Sequence, residues 1–497
     1  MKWQGDEYEV IVLGSGLAGL VAGTFLSQKS HKVLLLKENK YRPSHSKDGY
    51  RFVPFSNFSE RRLKLSLLEK ISQSLDLSSF TDDRGVEGKT ERKPGKLKGD
   101  VAFQVILPKA RIDLFPQLSR LQREWKREFP KEVAPIVNFY SEMDRVQHLL
   151  EKMMTEEGSR SVFPMRPRSL ARRWFSYEPL PKGRMSKMLS PFSKEFREFI
   201  QLQLISRTSL FSDQFPIPAA AQALFNDDVD GWGSKADIEK LREKIFEKFF
   251  QSGGRMEEIE GVEKVVKKWK KGFAISLKGE RGIFRSKFLI LDSPLHLLPN
   301  LLAKRGKRLS RWGKKICPRY VLVPLFLGIR ENVVPVGMKD LLVSIYDLGK
   351  PYERGNVLFI AISPRGDETQ APEGKRAVTV ESLMDFGEWD EDSLVEHQKE
   401  VMKHLHHLFP FLDKYIEFTD WTWTTEQCRC WSYPHFLYQA TPDFRWGKGV
   451  VPTRISRDLY FTGKENFPYL GLEGEVLSGW MVGRQILKKY SCPLSYW

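Results

Sequence analysis

The sequence predicts an α/β fold that opens on a Rossmann-like unit, and three observations predict it. Val10 to Leu13 is a continuous apolar run of the buried-strand type. Gly14, Gly16 and Gly19 follow it directly as G-x-G-x-x-G. After an apolar-periodic stretch through Leu17, Leu20, Val21, Phe25 and Leu26, a second apolar run occupies Val33 to Leu36. The order is strand, turn, helix, strand. Gly14 permits the tight turn, Gly16 lets the backbone approach a diphosphate, and Gly19 lets the helix pack closely on the strand. The amides of Ser15, Gly16, Leu17, Ala18 and Gly19 then face an anion at a helix N-terminus, and Gly23 extends the close packing.

The second strand ends in Lys37 followed by Glu38, where a dinucleotide site usually offers a carboxylate to the ribose hydroxyls. Lysine can only donate. Either Lys37 costs the site affinity, or the strand end bulges and turns Glu38 inward, since a one-residue slip exchanges the two faces. The residues alone leave both readings open.

The chain has 497 residues, of which 41% are hydrophobic and 12% aromatic, enough for two or three subdomains around a sizeable core. Its start, Met1 to Val10, has no apolar h-region, and the longest uncharged apolar stretch, near Val321 to Ile329, is too short to cross a bilayer. A cytoplasmic protein is expected. Cys317, Cys428, Cys430 and Cys492 make neither a C-x-x-C pair nor a repeating framework, which points away from zinc and from a disulfide scaffold. Cys428 and Cys430 read as reduced thiols on a strand.

A net charge of +17 asks for an explanation at the surface. Basic residues cluster from Arg160 to Lys187 and from Lys304 to Lys315. Trp174, Phe175, Met185, Met188 and Leu189 are interleaved in the first run, and Leu309, Trp312 and Ile316 in the second. That mixture suits a peripheral contact with the inner, anionic face of a membrane and equally a solvated basic surface. No nucleic-acid reading module accompanies it, so nucleic acid is not expected as a partner.

Punctuation organises the remainder. Asp82 to Gly99 is polar and rich in glycine and lysine, and reads as an exposed loop. Leu114, Leu118, Leu121, Trp125 and Phe129 form one helical stripe. Pro130 interrupts it, and Val133, Ile136, Phe139, Met143, Val146 and Leu150 form a second. Both read as core or cap-domain helices. In the helix Ser393 to Phe409, His397, Glu400, His404 and His407 are read as a solvated flank beside the apolar face Leu394, Val401, Leu405 and Leu408, in preference to a metal set, so no metal is expected. A buried strand is expected at Phe288 to Leu291. Late in the chain a strand, Leu459 to Thr462, ends at Gly463, a loop passes through Pro468, Gly471 and Gly474, and an amphipathic helix runs from near Glu475 to Leu487.

A glycine-rich turn near each end brackets the chain as in flavin oxidoreductases, and the chain resembles the phytoene (carotenoid) desaturase branch of the FAD-dependent amine-oxidase superfamily over nearly its whole length. Phe103 to Pro130 resembles that family's early substrate-domain segment. Leu358 to Val380 resembles its A-P-E-G stretch, carried by Ala371, Pro372, Glu373 and Gly374. Gly253, Gly254 and Val262 resemble the segment in which a valine backbone meets the adenine, and Gly463, Gly471 and Leu472 the loop beside the isoalloxazine. The resemblance implies an α/β, Rossmann-like (GR2-type) FAD-binding domain made of residues 1–105, 215–300 and 445–497. An inserted α+β substrate domain would take 106–214 and 301–444. FAD is the implied cofactor, contacted by Gly14, Ser15, Gly16, Leu17, Ala18 and Gly19, by Lys37 and Glu38, by Val262, and by Gly463, Lys464, Gly471 and Leu472.

The implied chemistry is hydride transfer between an apolar isoprenoid or lipid substrate and flavin N5, as desaturation, saturation or isomerisation, with the cofactor doing the difficult part. Tyr469 and Glu473 are the candidates for proton handling, and Glu473 also reads as a plain surface carboxylate. Aromatic residues between Asp420 and Trp446 either line an apolar tunnel or simply pack. The departures from the family pattern cluster at cofactor contacts: Lys37 in place of the ribose acid, Pro43 and Ser44 in place of paired glycines, Phe52 to Phe55 in place of F-D-x-G, and Lys464 after Gly463. The alternative is a FAD-free lipid- or protein-binding relative of the same fold, similar in logic to the Rab GDP-dissociation inhibitors.

Overall fold

Two sheets organise the residues that the computed structural model describes, which are 7–38, 42, 44–52, 71, 73–77, 103–115, 117–156, 181, 183–212, 214–225, 235–268, 272–279, 282–302, 306–388, 391–427, 435–441 and 449–491. The strands in chain order are β1 (Glu7–Leu13), β2 (Val33–Glu38), β3 (His45–Lys47), β4 (Tyr50–Phe52), β5 (Phe103–Leu107), β6 (Ala110–Leu114), β7 (Arg255–Ile259), β8 (Val262–Lys268) and β9 (Gly272–Leu277). They continue with β10 (Ile283–Leu291), β11 (Ile316–Arg330), β12 (Leu341–Ile345), β13 (Val357–Ile362), β14 (Lys375–Asp385), β15 (Ile416–Asp420), β16 (Phe436–Ala440) and β17 (Leu459–Phe461).

The first sheet runs β7-β2-β1-β10, all parallel, with β17 parallel beside the end of β10 and the antiparallel pair β9 and β8 beside its start. Its central strands are continuous apolar runs because both faces are covered. Val10, Val12, Val33 and Leu35 pack on one side with helix α1 (Leu17–Ser27), while Ile11, Leu13, Leu34 and Leu36 join the larger core on the other. Every residue of α1 is buried, because the helix is enclosed by the sheet, the helix Lys235–Gln251 and the last helix, Leu472–Ser491. A Cβ on Gly479 of that last helix would collide with the backbone of Ala18, so the two helices touch through bare backbone.

The second sheet runs β15-β11-β14-β13-β12-β5-β6, with β16 also on β11, and is antiparallel except between β5 and β12. The helix Glu391–Leu408 lays Val401, Leu405 and Leu408 on one face, against Leu325, Leu327, Leu358 and Val380. The helices Leu118–Glu128, Val133–Glu156, Lys194–Arg207 and Ile217–Leu224 belong to the core on the other.

Several sequence expectations change here. Leu114 is the last residue of β6, paired with Phe103, and Leu118, at the start of the next helix, is 41% exposed, so the buried stripe begins only at Leu121. From there it holds: Trp125, Phe129, Ile136, Phe139, Met143, Val146 and Leu150 are all buried, and Trp125 stacks on Tyr140 with centroids 4.4 Å apart. These aromatics pack as core. His397 and His404 do not form a solvated flank, since each is only 2% exposed. Buried serines on the facing strands receive them: Ser382 Oγ lies 2.6 Å from His397 Nε2, and Ser344 Oγ lies 2.9 Å from His404 Nε2, whose Nδ1 reaches Gly355 O at 2.8 Å. Burial drives both imidazoles down to about 4, so both are neutral at ordinary pH.

In the second basic run Leu309 and Ile316 are core residues and Trp312 is half-buried; in the first, Met185 and Leu189 are buried. The described apolar residues therefore face inward more than the interfacial reading requires. Residues 157–180, the loop 82–99, and Cys428, Cys430 and Cys492 lie outside the described residues. Among the described residues no helix is long and apolar enough to cross a membrane.

Candidate functional site

β1 sits between β2 and β10, so the crevice beyond the carboxyl ends of β1 and β10 is the place where an open α/β sheet binds its ligand. Gly14 turns the chain there with φ +117°, its amide donating to Leu36 O at 3.0 Å. Gly16, exposed and extended, stands at the N-cap of α1, which has no side-chain cap and no acidic residue in its first turn. Such an N-terminus presents unpaired amides and the positive end of a helix dipole.

The group that meets them comes from the chain itself. Asp292 follows β10; its amide donates to Leu13 O at 2.8 Å, and the preceding Leu291 O accepts from Thr462 N at 2.9 Å, which ties the residue between β1 and β17. Its carboxylate lies over the glycine turn. A Cβ placed on Gly16 would lie 2.8 Å from Asp292 Oδ2, and one on Gly19 would overlap the same oxygen. The amides of Gly16 and Gly19 face the carboxylate and favour its charged form. Even so, Oδ2 is buried without a hydrogen-bond partner of good geometry, and Asp292 is 9% exposed.

Two further acids crowd the same place. Burial above all, and then the charge of Glu475, push the Asp292 carboxyl up to about 8, while the Gly19 and Gly16 amides pull the other way and Glu465 adds to the rise. Glu465 is 3% exposed. It accepts from Leu295 N at 2.9 Å and from the Tyr438 hydroxyl, and burial raises it as well. Lys464 Nζ stands 3.9 Å from Glu475 Oε1, so this lysine serves an acid of the adjoining helix.

The other residues expected at a cofactor fall as follows. β2 pairs with β7 in unbroken register from Leu34↔Arg255 to Glu38↔Ile259, so no bulge is needed: strand alternation alone sends Lys37 to one face and Glu38 to the other. Lys37 Nζ reaches Glu258 Oε1 on β7 at 3.2 Å, and Glu38 is 7% exposed. Val262 is buried at the start of β8. Gly463, with φ +145°, donates to Ser478 Oγ at 3.2 Å, and Gly471, with φ +55°, leads into Leu472, which is buried.

Ser15, Leu17 and Ala18 lie where expected, at the turn and first turn of α1, the latter two buried. Tyr469 is 2% exposed, and Glu473, at 3%, is not a surface carboxylate. It begins the last helix, whose packing on α1 carries its first turns inside. Phe52 packs on Phe326 at 5.0 Å, across the second sheet, while Pro43 and 53–55 lie outside the described residues.

Sequence reasoning missed Asp292, Glu465 and Glu475. One signal was present: an acid placed directly after the apolar strand Phe288 to Leu291. A polar pocket adjoins them, lined by Ser206, Thr208, Glu381, His435 and Lys464 with Leu322, Phe359, Phe436 and Leu437 as apolar walls. Ser206 Oγ donates to Gln203 O and Thr208 Oγ1 to Leu204 O, both at 2.9 Å. Burial first, then Lys464 and Arg242, drive His435 well down, so its imidazole is neutral. Among the described residues no group of His, Cys, Asp and Glu side chains is arranged to hold a metal.

As folded, these residues do not fit the diphosphate of a dinucleotide. The cradle amides already face the Asp292 carboxyl, and two more buried acids, Glu465 and Glu475, stand near. Like charges brought together where water is excluded repel strongly.

Comparison with known proteins places this geometry in a fold. No family model matches the chain. It is 21% identical to the chloroplastic prolycopene isomerase of Arabidopsis thaliana, over 96% of this chain and 82% of that protein. Among solved structures, an oxidoreductase from Methanosarcina mazei superposes with a TM-score of 0.58 at 14% identity, covering 96% of this chain and all of that one. Putrescine oxidase bound to putrescine superposes with 0.57 at 13%, covering 97% and 100%. Rab GDI from Plasmodium falciparum superposes with 0.52 at 13%, covering 96% and 98%. The chain has the Rossmann-like FAD-binding fold of these oxidoreductases, a fold that Rab GDI shares.

Proposed function

We propose that this protein is a flavin-free binding member of the oxidoreductase fold, and that it takes an apolar, isoprenoid-type lipid between its two sheets without redox chemistry. The observation that carries the reading is the Asp292 carboxylate seated on the Gly16 and Gly19 amides, the donors a flavin's diphosphate would need. The likeness to prolycopene isomerase over nearly the whole chain supports the ligand class. The pocket beside Lys464 supports an amphipathic ligand, whose polar end would meet Glu381 and His435 while its chain lies on Phe359, Phe436 and Leu437.

The purified protein is expected to be colourless, to show no saturable change on titration with FAD at about pH 9, where Asp292 is ionised, and to solubilise a carotenoid or polyprenyl alcohol. Near-stoichiometric flavin in the purified protein would overturn the reading. The second reading, a flavoenzyme acting on an isoprenoid C–C bond, is favoured by the same whole-length likeness, and the FAD titration separates the two. On that reading FAD would supply hydride chemistry, and this chain would contribute the buried Tyr469 and Glu473 beside the last helix and an apolar enclosure that excludes water.

A further inference from the structure

We infer that Asp292 is the residue that excludes dinucleotide phosphate from the glycine cradle: its carboxylate takes the place of a ligand anion on the Gly16 and Gly19 amides, and a small neutral side chain there would open the cradle to FAD. The inference rests on the flavin-free reading and assigns the exclusion to one side chain.

Three features of the site argue for Asp292 over the other departures. It is central, since Cβ atoms on Gly16 and Gly19 would fall where its side chain lies, and one on Gly14 would fall on its backbone. It is positioned by backbone, through the Asp292 N to Leu13 O and Thr462 N to Leu291 O bonds on either side, which fix its Cα beside the turn. It is poorly satisfied, with Oδ2 buried and without a hydrogen bond of good geometry despite the facing amides. Lys37, by contrast, lies at the strand edge with Glu258 and leaves the cradle amides untouched.

The groups that set the charge at this point come from every element packed on it. The amides of Gly16 and Gly19 from α1 favour the carboxylate. Glu475 from the last helix and Glu465 from the loop after β17 oppose it, and Lys464 is engaged with Glu475. The excluded state is therefore the ionised one, and exclusion should deepen as pH rises.

The test titrates FAD, by quenching of its fluorescence, into wild type, Asp292→Ser and Lys37→Glu at about pH 6 and about pH 9, with circular dichroism confirming the fold of each. Asp292→Ser is expected to bind FAD at both pH values at least roughly a hundredfold more tightly than wild type at the higher pH, and Lys37→Glu is expected to behave as wild type. Should the serine variant fail to fold, Asp292→Ala takes its place.

A folded Asp292 variant that still refuses FAD overturns this inference and leaves the flavin-free reading standing. Recovery of binding by Lys37→Glu alone also overturns it. Wild type that binds FAD equally at both pH values overturns both. Wild type that binds only at the lower pH, with the serine variant binding at both, supports the assignment to Asp292 while replacing a flavin-free protein by one whose cofactor affinity is gated by a proton.

Discussion

Asp292→Asn replaces a titratable carboxyl beneath α1 with an amide of the same size that cannot ionise, and its effect on stability follows from the structure. The folded carboxyl is held up to about 8 from an ordinary 3.8, by burial first and by Glu475 second. Between those values the folded chain keeps a proton that the unfolded chain has released. Wild-type stability therefore falls as pH rises through that window, and the loss is complete above the folded value. One proton is worth about 1.4 kcal/mol per pH unit, so from about pH 5 to about pH 8 the wild type should lose up to about 4 kcal/mol relative to the asparagine variant. Toward the acid end of the window the two proteins should converge. Urea unfolding followed by far-ultraviolet circular dichroism, run on both proteins across that pH series, reads the difference directly. Parallel pH profiles would refute the placement of a desolvated carboxyl under the glycine turn, because an Asp292 side chain open to water would titrate near its ordinary value in both states.

The remaining predictions use the same readout. Gly19→Ala drives a methyl into the Asp292 side chain and should cost about 1–3 kcal/mol, with part of that recovered in an Asp292→Ala background; strictly additive effects would show that the two do not touch. His397 and His404 are held at about 4 by burial, so the unfolded chain takes up their protons first as pH falls. Stability present above about pH 6.5 should be lost toward pH 4 at about 1.4 kcal/mol per pH unit for each histidine, and His404→Gln should remove one such share. Trp125→Ala, which empties the centre of the aromatic core beside Tyr140, should cost about 3–5 kcal/mol in the same urea series; a loss below about 1 kcal/mol would mean that the two helices do not pack as described.

The amino-terminal unit was legible from the sequence because it depends on local rules: an apolar run long enough for a strand buried on both faces, glycines where backbone must approach backbone, and a period that changes from continuous to helical. The same holds for the helices carrying Trp125 to Leu150, for the strand ending at Phe461 and for the last helix. The sequence failed where a side chain's meaning depends on what lies across from it. His397 and His404 looked solvated because the serines that receive them lie on separate strands, Ser382 on β14 and Ser344 on β12. Leu114 looked helical because its spacing to Leu118 matches, yet pairing with Phe103 claimed it for a strand. Glu38 turned inward by plain alternation once β7 fixed the register of β2.

By itself, then, the amino-acid order determined that this chain builds a dinucleotide-type cradle, since glycine spacing and strand hydrophobicity act over a few residues. Only the tertiary structure decided what occupies that cradle. Asp292 stands 273 residues after Gly19 in the chain, and the parallel pairing of β1 with β10 brings its carboxylate onto those amides. Charge and burial at such a point are properties of the assembled neighbourhood and of no single segment.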